Sequence, residues 1–556
     1  MSFAPAPSHR PTLHGSRHMV SAGHPLASMA GLQILEAGGS AVDAGVAAGF
    51  ALNVVQPDMA NLGGVAPIMI FQARTRTVST IAGVGRWPRT ATLARVREAG
   101  HGRIPASPAR WIVPSAVASW LLALSRFGTM NLAEVLAPAL RLAEEGFAAN
   151  YWLIHNLREA GALFGPGTEN GAIFCPQGRL PRPGEPVRQP ALGQTLRILI
   201  DAEARHGGKR QDAIEAARDA FYRGEIAERI GRFAEEVGSF LRADDLHEFS
   251  VLEEPPLFVD YRGHRVHACG PWCQGPALLQ MLAVIGKVDI AAEPRLEAEH
   301  LLIEAVKLAL ADRNSHYGDP GFNAVPMRRL LSDTHAAELM GRIDRRRSGN
   351  PGEPALQEGG ISPDTTYACV VDGEGNAFSA TPSDSTILST PMVPGLGFGI
   401  SDRGLQASLD PGDPNAVGPG RRPRLTPNPA LVLGDGFVMP FGTPGAEVQT
   451  QVMLQFLVNA LDRGMELQSA IEAPRWASYA IPATEDPHAS EPHALKVEGR
   501  MDADLRRGLA AKGHDIRLWP DFAPLAGAVC AVRRETRSGL LSAGADPRRL
   551  SYAVGL

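Results

Sequence analysis

Residues 365–381 read TTYACVVDGEGNAFSAT, and this stretch, together with what precedes it, decides the fold. Two runs of β-prone residues flank the turn DGEGN, which predicts a β-hairpin. Residues 326–364 differ in character, because an arginine cluster (IDRRRSG) is followed by NPGEPALQEGGISPD. Such a density of Gly, Pro and Glu predicts a mobile linker. A linker therefore runs straight into a strand that opens with Thr365.

The junction between Asp364 and Thr365 has a chemistry of its own. A threonine hydroxyl is a poor nucleophile unless a base lies beside it. Cutting the peptide bond before Thr365 creates that base, an α-amine whose ordinary pKa is about 7.7–8.0. One residue then supplies both nucleophile and base, so no separate histidine is needed. Taken alone, however, Thr-Thr at the start of a strand is more simply explained by β-propensity.

The rest of the chain alternates helical and strand patterns. The helix predictions rest on apolar residues at helical spacing and on two capping boxes, Ser40–Asp43 and Asn131–Glu134. Helices are predicted at residues 26–37, from Ser40 onward, and at 131–146, 296–313 and 448–463; strands are predicted at 67–71, at 78–81 and as a pair around 430–442. The helix after Ser40 is rich in Ala and Gly on every side, which predicts burial between layers. The sum is an α/β layered protein without internal repeats.

Composition excludes several classes of function. The 556 residues are 44% hydrophobic and carry a net charge of −5, which gives no long-range attraction to nucleic acid or to an anionic membrane. Five cysteines in an odd, sparse set predict reduced, mostly buried thiols. The first 20 residues contain no apolar signal core, and no window approaches the length of a membrane span. We expect a soluble cytoplasmic protein.

Common catalytic and cofactor motifs do not fit. The chain contains no phosphate-binding GxxxxGK[ST], no zinc-binding HExxH and no GxSxG nucleophile elbow. The Gly-rich GLGFGI at 395–400 lacks the strand–turn–helix setting of a dinucleotide site. His300, on the predicted helix 296–313, is interpreted as a packing residue because nothing else in the sequence points to it.

Ordered blocks along nearly the whole chain resemble the γ-glutamyltranspeptidase (glutathione hydrolase) family of N-terminal-nucleophile hydrolases. TTYACVVDGEGNAFSAT resembles the start of the family's small subunit, where its nucleophilic threonine aligns with Thr365. The other blocks, in chain order, are GHPLASMAGLQILEAGGSAVDAGVAAGFALNVVQPDMANLGG, VPSAVASW, FGTMNLAEVLAPALRLAEEGF, GPWCQGPALLQML, EAVKLALADR with YGDP, RRPRLTPNPALVL, FGTPGAEVQTQ, AIEAPRW and GADPRR.

The resemblance implies a role for each matching residue. Thr365 is expected to cut the precursor after Asp364 and then to act as the catalytic nucleophile. Ser383 stands where the family has a second hydroxyl that hydrogen-bonds the nucleophile. Gly445 and Ala446 fall at a Gly-Gly pair whose backbone N–H groups form the oxyanion hole, a task that needs no particular side chain.

The substrate-binding positions match less well. Arg86 falls near the arginine that clamps the glutamyl carboxylate, with Arg89 as a competitor. Ser385 replaces an Asn, and Leu425-Thr426 replaces a serine pair that contacts the carboxylate. Leu405 and Gln406 replace the acidic pair that holds the glutamyl ammonium, and a buried ammonium without a carboxylate is costly. The sequence is therefore closer to the acylase-like and oxamate-amidohydrolase-like branches.

These observations lead to one prediction with two alternatives. The prediction is a four-layer αββα amide hydrolase or acyltransferase without cofactor or metal. Its large subunit (1–364) and small subunit (365–556) come from one precursor and form a single intertwined unit, as αβ or (αβ)2. It acts on a small carboxylate-bearing amide, γ-glutamyl or similar, with water or an amine as acceptor. The alternatives are a non-glutamyl amidase and, in another class, an uncleaved and inactive binding or scaffold protein.

Overall fold

The structure is a computed structural model that describes residues 8–349 and 365–556. Its strands are β1 (Leu13–Gly15), β2 (Met19–Ala22), β3 (Ile68–Gln72), β4 (Thr77–Ala82), β5 (Phe147–Ala148), β6 (Pro186–Val187), β7 (Leu252–Glu254), β8 (Leu257–Tyr261), β9 (His264–Ala268), β10 (Ala368–Val371), β11 (Ala377–Ala380), β12 (Ala430–Gly434), β13 (Phe437–Gly442), β14 (Trp476–Ser478), β15 (Ala494–Glu498), β16 (Asp515–Trp519), β17 (Cys530–Glu535), β18 (Leu541–Ala545) and β19 (Tyr552–Gly555).

Its helices are α1 (Pro25–Glu36), α2 (Ala41–Val55), α3 (Leu93–Ala99), α4 (Ala116–Phe127), α5 (Leu132–Glu145), α6 (Tyr151–Glu159), α7 (Glu169–Phe174), α8 (Pro190–His206), α9 (Arg210–Tyr222), α10 (Glu225–Glu236), α11 (Ala243–His247), α12 (Gly275–Ile285), α13 (Arg295–His316), α14 (Met327–Leu330), α15 (Asp333–Arg342), α16 (Gln449–Leu457), α17 (Leu467–Glu472) and α18 (Ala503–Ala511). Both predicted capping boxes form, at the start of α2 and of α5.

Two antiparallel seven-stranded sheets form the centre of the molecule. The first has the strand order β1-β18-β17-β13-β12-β9-β8, and the second has the order β19-β2-β10-β11-β3-β4-β7. Strand β10 lies between β2 and β11, with Ala368 opposite Ala22 on one side and Ala380 on the other. The predicted hairpin is therefore the β10–β11 pair at the middle of the second sheet.

Helices cover the outer face of each sheet. A buried cluster that includes Met69, Cys369 and Val532 fills the space between the sheets. Helices α1 and α2 pack on the second sheet, and α12 and α16 pack on the first. Because each sheet has one face on its partner and the other under helices, the four-layer αββα prediction is confirmed.

The Ala/Gly-rich composition of α2 explains how closely this helix approaches the sheet. All 15 of its residues are buried, as predicted. A Cβ added at Gly45 would lie 2.1 Å from the Phe378 ring on β11, and one at Gly49 would lie 2.6 Å from the Trp120 ring on α4. Side chains at these two positions would push α2 away from the strand that follows the hairpin turn.

The segments before and after Thr365 are interleaved. In the second sheet, β2, β3, β4 and β7 precede Thr365, whereas β10, β11 and β19 follow it; the first sheet likewise mixes β1, β8 and β9 with four later strands. A cut before Thr365 leaves two chains that share both sheets. This topology supports the predicted single intertwined unit.

Two boundary predictions are wrong. Residues 327–342 are not linker, because α14 and α15 form there. Ser332 caps α15 through its hydroxyl, which accepts a hydrogen bond from His335 N, and Leu339 is buried. The remainder of the predicted linker, residues 350–364 with Asp364, lies outside the described residues. The helix predicted at 448–463 ends earlier, since α16 gives way at Val458–Asp462 to one wider π-type turn.

The predicted burial of most cysteines is confirmed. Cys269, Cys273, Cys369 and Cys530 are free and buried, and Cys175 is free and half-buried. Across residues 8–349 and 365–556, none of the helices combines the length and the apolar character needed to cross a bilayer.

Candidate active site

Thr365 lies just before β10, where the backbone pairing of the β10–β11 hairpin continues past the ends of the two strands. A single bridge pairs Thr365 with Ser383, and Thr366 N donates a 3.0 Å hydrogen bond to Pro382 O. On the other side, Gly23 N donates to Tyr367 O at 2.9 Å. The Thr365 residue is only 1% exposed. Backbone pairing on both sides therefore fixes the candidate nucleophile in a buried position.

The Thr365 hydroxyl has a hydroxyl partner. Its Oγ1 lies 2.8 Å from Oγ of Ser383, and Ser383 is fully buried. The structure thus brings together the two hydroxyls that the sequence predicts as a pair. Arg403 donates a short hydrogen bond to the same Ser383 Oγ. A positive charge two hydrogen bonds away makes negative charge on the Thr365 oxygen less costly.

Gly445 and Ala446 form the start of a helical segment near Thr365. Pro444, which precedes them, lines the same crevice as Thr365 and Thr366. Gly445 has φ 126° and Ala446 has φ 47°, so both lie in the left-handed region. Neither N–H group donates to another residue of the described chain. Free N–H groups at a helix start are suited to stabilise an oxyanion.

A buried glutamine fixes the backbone around this pair. Gln274 Nε2 donates to Ala446 O and to Thr426 O, both at 2.8 Å. Its Oε1 accepts a 3.2 Å hydrogen bond from Arg313 Nη1, and the same guanidinium pairs with Glu447. Since Gln274 and Arg313 are fully buried, these contacts hold the Ala446 segment in one geometry.

Three buried charged residues and one half-buried arginine form a linked group that reaches Ser383 through Arg403. We call it the acid–arginine cluster: Arg110, Asp384, Asp402 and Arg403. Arg110 contacts Asp402 at 2.5 Å. Burial by itself raises the pKa of Asp402, but Arg110 and Ser389 outweigh it and the pKa lies below its ordinary value. Burial and the Asp402 carboxylate raise the pKa of Asp384 well above its ordinary value. Burial and neighbouring charges therefore shift the two carboxyl pKa values in opposite directions, that of Asp402 downward and that of Asp384 upward.

The structure distinguishes the two candidate carboxylate-binding arginines. Arg89 is exposed and pairs with Glu248 at 2.5 Å, and its backbone N–H donates to Asp245. The Arg86 side chain is half-buried and makes no hydrogen bond or ion pair with other described residues. Its carbonyl accepts from Val113 N, and Trp87, the next residue, packs on Gly404 beside Arg403. Of the two, Arg86 is therefore the arginine whose guanidinium is not already paired within the described residues.

The other predicted substrate contacts are internal to the protein. Thr426 Oγ1 accepts a 3.2 Å hydrogen bond from Gln406 Nε2, which also donates to Glu485 at 2.9 Å. Ser385 is 3% exposed and begins the short turn Thr386–Leu388. Leu405 is buried beside Gln406. Positions 405 and 406 thus offer neither a carboxylate nor an uncommitted amide.

A crevice opens onto the candidate nucleophile. Its walls include Gly23, Gln56, Met59, Trp152, Thr365, Thr366, Pro444, Ala528, Arg549, Leu550 and Ser551. A larger cavity, of about 480 Å³, includes His9, Arg295 and Arg500 in its wall and shares no lining residue with the crevice. Because the larger cavity contains none of the predicted catalytic residues, the crevice is the candidate active site.

One buried group among the described residues has the composition of a metal site. Ligand atoms of His300, Glu304 and His514 lie within 4.8 Å of one another. Lys307 Nζ lies 2.5 Å from Glu304, and the imidazoles of His300 and His514 are hydrogen-bonded at 2.9 Å. The lysine already provides the cation beside the carboxylate. His300 therefore acts as a packing residue, as its sequence context predicts.

A model of the γ-glutamyltranspeptidase family matches residues 27–556. The chain belongs to this family. The glutathione hydrolase-like YwrD proenzyme of Bacillus subtilis is 32% identical over 551 residues, which cover 98% of this chain and 99% of that protein. The oxamate amidohydrolase proenzyme of Klebsiella pneumoniae is 32% identical over 551 residues, covering 97% and 98%.

A solved structure agrees with the fold. The cephalosporin acylase of Bacillus halodurans superposes with a TM-score of 0.85 at 29% identity, covering 100% of this chain and 99% of that one. Membership of a γ-glutamyltranspeptidase family whose relatives are proenzymes makes this chain an enzyme of the self-processing N-terminal-nucleophile class. Its processed form comprises two subunits from one precursor.

Sequence reasoning missed several residues of the site. Arg403, Asp384, Gln274, Arg313 and Glu485 were not predicted to act there. Gln274 and Arg313 lie in blocks that resemble the γ-glutamyltranspeptidase family, but no local pattern marks them, and Arg403 lies between two such blocks. A signal was nevertheless present for Arg403, because Asp402 and Arg403 are adjacent charged residues within a stretch rich in Gly and apolar residues, GLGFGISDRGLQ. Such a residue requires a buried partner or a ligand.

Proposed function

We propose that the precursor cuts itself between Asp364 and Thr365 and that the freed Thr365 then hydrolyses a small carboxylate-bearing amide. The 2.8 Å contact between the hydroxyls of Thr365 and Ser383, in a buried site at the start of the hairpin, carries this proposal. The subunits are then residues 1–364 and 365–556. Their shared sheets keep them together after the cut.

Self-processing is an acyl shift followed by hydrolysis. Thr365 Oγ1 attacks the carbonyl carbon of Asp364, the C–N bond to Thr365 breaks, and an ester joins the two residues. The former amide nitrogen takes the hydroxyl proton and becomes the α-amine. Water then opens the ester, which leaves an Asp364 carboxylate and restores the Thr365 hydroxyl. Ser383 supports this step because it fixes the orientation of the attacking oxygen.

Turnover repeats the chemistry on an external amide. The α-amine of Thr365 takes the hydroxyl proton as Oγ1 attacks the substrate carbonyl. The N–H groups of Gly445 and Ala446 stabilise the oxyanion. The C–N bond breaks, the leaving amine takes the proton from the α-amine, and the acyl group remains on Oγ1. Water, or an amine acceptor, then releases it.

The substrate class follows from the groups around the nucleophile. Arg86 supports a carboxylate on the acyl group, since a guanidinium binds a carboxylate through two parallel hydrogen bonds. The γ-glutamyl group is one candidate acyl group. A non-glutamyl acyl group is favoured by Leu405 and Gln406, which provide no carboxylate for an ammonium.

Intact mass spectrometry of freshly purified full-length protein tests the self-processing. We expect the wild type to separate into two chains, the second beginning at Thr365, and Thr365→Ala to remain whole. Thr366→Ala is the matched control, because its hydroxyl is also buried but bonds Gln56 Oε1 at 2.7 Å instead of Ser383. It should still cut. A wild type that remains one chain after long incubation would contradict the proposal and favour the binding or scaffold alternative.

A further inference from the structure

Asp384, which directly follows Ser383, has a strained backbone. Its φ is 113°, a value that residues with a side chain rarely adopt. Several other non-glycine residues of the described ranges also have a positive φ, but Asp384 is the only one of them that is buried, with 0% exposure. Strain at a buried position persists only where the surrounding contacts impose it, and it is concentrated at functional sites.

Two polar side chains impose this conformation. Asn61 Nδ2 donates a 2.8 Å hydrogen bond to the backbone carbonyl of Asp384 and a 2.7 Å hydrogen bond to Thr386 Oγ1. Ser401 Oγ donates a short hydrogen bond to the Asp384 carboxyl oxygen Oδ2. Because Asn61 and Ser401 are buried, water does not compete for these contacts. Asn61 therefore holds the backbone of Asp384, and Ser401 holds its side chain.

The backbone of Ser383 is packed between two neighbouring segments. Ser383 N donates to Val65 O at 2.9 Å, Val65 N donates to Ser383 O at 3.2 Å, and a bridge joins Ser383 to Thr365. Gly64 lies against the same turn, since a Cβ added there would be 2.4 Å from Ser383 O and 2.9 Å from Asp384 Cβ. These neighbours leave no room for Asp384 to relax in place, so a change of its φ must shift the chain at Ser383.

The hydroxyl pair depends on the geometry of this turn. Ser383 Oγ and Thr365 Oγ1 are 2.8 Å apart. A hydrogen bond between hydroxyls requires about 2.5–3.0 Å, so a shift of about 0.5–1 Å at Ser383 breaks it. A misplacement of about 1 Å can lower a rate by about 10²-fold. Asp384 also lies 3.9 Å from Arg403, which donates to Ser383 Oγ, so both routes from Asp384 lead to the same hydroxyl.

We propose that Asp384 is a positioning residue for the reactions of Thr365: its carboxyl maintains the strained turn that keeps Ser383 Oγ in contact with Thr365 Oγ1. This inference rests on the proposed function and adds a residue to it. The role requires the shape and the hydrogen bond of the side chain, not its charge. Asparagine should therefore replace Asp384, because it tolerates a positive φ and its amide oxygen accepts the hydrogen bond from Ser401. Alanine does neither.

Two rates test this role. The rate of self-processing is followed by intact mass after cell-free synthesis. Turnover is measured per mole of cut chain, on whichever of the γ-glutamyl, succinyl and glutaryl 4-nitroanilides the wild type hydrolyses. We expect Asp384→Ala to lower both the processing rate and kcat by at least about 10-fold, with KM changed by less than about 3-fold. Asp384→Asn should remain within about 3-fold of the wild type in both rates.

Asp462→Ala is the matched control. The Asp462 side chain is 2% exposed and bonds Tyr261 and Arg262 instead of the turn after Ser383. Its removal should lower stability in urea, as the removal of any buried and paired carboxylate does, and should leave both rates unchanged.

A double-mutant comparison separates positioning from a merely structural role. If Asp384 acts through Ser383, its effect disappears once the Ser383 hydroxyl is absent. In a Ser383→Ala background we therefore expect Asp384→Ala to lower the two rates by less than about 3-fold further. A structural role predicts the same factor, at least about 10-fold, in both backgrounds.

Hydrogen exchange reports on the turn without any need for activity. In the uncut Thr365→Ala protein, the Ser383 N–H that donates to Val65 O should exchange at least about 10-fold faster when Asp384→Ala is added. Addition of Asp384→Asn should leave its exchange unchanged. If Ser383→Ala yields no cut chain, this comparison decides between the two roles.

Several results would overturn the inference. One is an Asp384→Ala protein that cuts and turns over like the wild type, and another is an equal loss in Asp384→Asn, which would assign the effect to charge. Losses that multiply in the Ser383→Ala background, or exchange that Asp384→Ala leaves unchanged, would do the same. In all these cases a wild type that cuts before Thr365 leaves the proposed function in place. A wild type that neither cuts nor hydrolyses any anilide would overturn the proposed function and this inference together.

Discussion

Removal of the Gln274 amide should loosen the oxyanion-forming segment without touching the nucleophile. In Gln274→Ala, Thr426 O loses the 2.8 Å donor that the structure gives it, whereas Ala446 O retains the backbone N–H of Gln449. Arg313 retains Glu447. One orphaned buried carbonyl lowers the free energy of unfolding by about 1–3 kcal/mol.

The effect on turnover should be larger than the effect on binding. Complete removal of an oxyanion donor lowers kcat by about 10²–10³-fold in other enzymes. Gln274→Ala leaves the N–H groups of Gly445 and Ala446 in place but removes the side-chain hydrogen bond to Ala446 O, so that only the Gln449 N–H still holds this carbonyl. We therefore expect kcat per cut chain to fall by about 10–100-fold, with KM changed by less than about 3-fold.

The assay combines urea unfolding with steady-state kinetics on whichever anilide the wild type hydrolyses. Gln280→Ala is the control, because Gln280 is a glutamine of the same segment, 1% exposed, that bonds Asp312 and Tyr317 instead of the Ala446 segment. It should lose similar stability and retain kcat. Equal losses of kcat in the two variants, or an unchanged kcat in Gln274→Ala, would refute the positioning role.

Two further predictions concern charge. Burial, reinforced by the charge of Lys307, lowers the pKa of His514 to about 3. Between pH 6.5 and pH 3 the unfolded chain therefore binds a proton at this histidine that the folded chain does not bind. The free energy of unfolding consequently falls as the pH falls through this range. We expect His514→Gln to reduce the loss in unfolding free energy between pH 6.5 and 5.5 by about 1 kcal/mol, and an unchanged pH slope in urea titrations would contradict this. Arg86→Ala should raise KM for carboxylate-bearing anilides at least 10-fold. Arg89→Ala should leave KM unchanged, because Arg89 forms an exposed ion pair with Glu248. Equal KM values in the two variants would exclude Arg86 as the carboxylate contact.

Features set by neighbouring residues could be predicted from sequence. The hairpin, the capping boxes of α2 and α5 and the buried character of α2 depend on residues within about one turn of each other, so the pattern contains the information. Thr365 and Ser383 are 18 residues apart in one hairpin, and their pairing was predicted from the resemblance to the γ-glutamyltranspeptidase family. The helix α15 was missed because the Gly/Pro-rich residues after it dominated the composition of the window.

Features set by distant segments could not be predicted in this way. Arg403 reaches Ser383 from a stretch without periodicity, and Gln274 reaches Ala446 across 172 residues. The choice between Arg86 and Arg89 depends on Glu248, which follows helix α11 and forms an ion pair with the Arg89 side chain. Such contacts are determined by the packing of the layers, and that packing has no signature in any single segment.

The conformation of Ala446 bears on how the site of this enzyme is prepared for catalysis. A residue with a Cβ at φ 47° costs about 1–2 kcal/mol relative to glycine. Such strain persists only where surrounding contacts impose it, and Gln274, Arg313 and Glu447 do so here. A binding or scaffold protein gains nothing from two unengaged N–H groups held in a strained turn after Pro444, which lines the crevice at Thr365. An amide hydrolase needs them in place before its substrate arrives, because reorganisation during the reaction raises the barrier. The retained strain therefore favours catalysis.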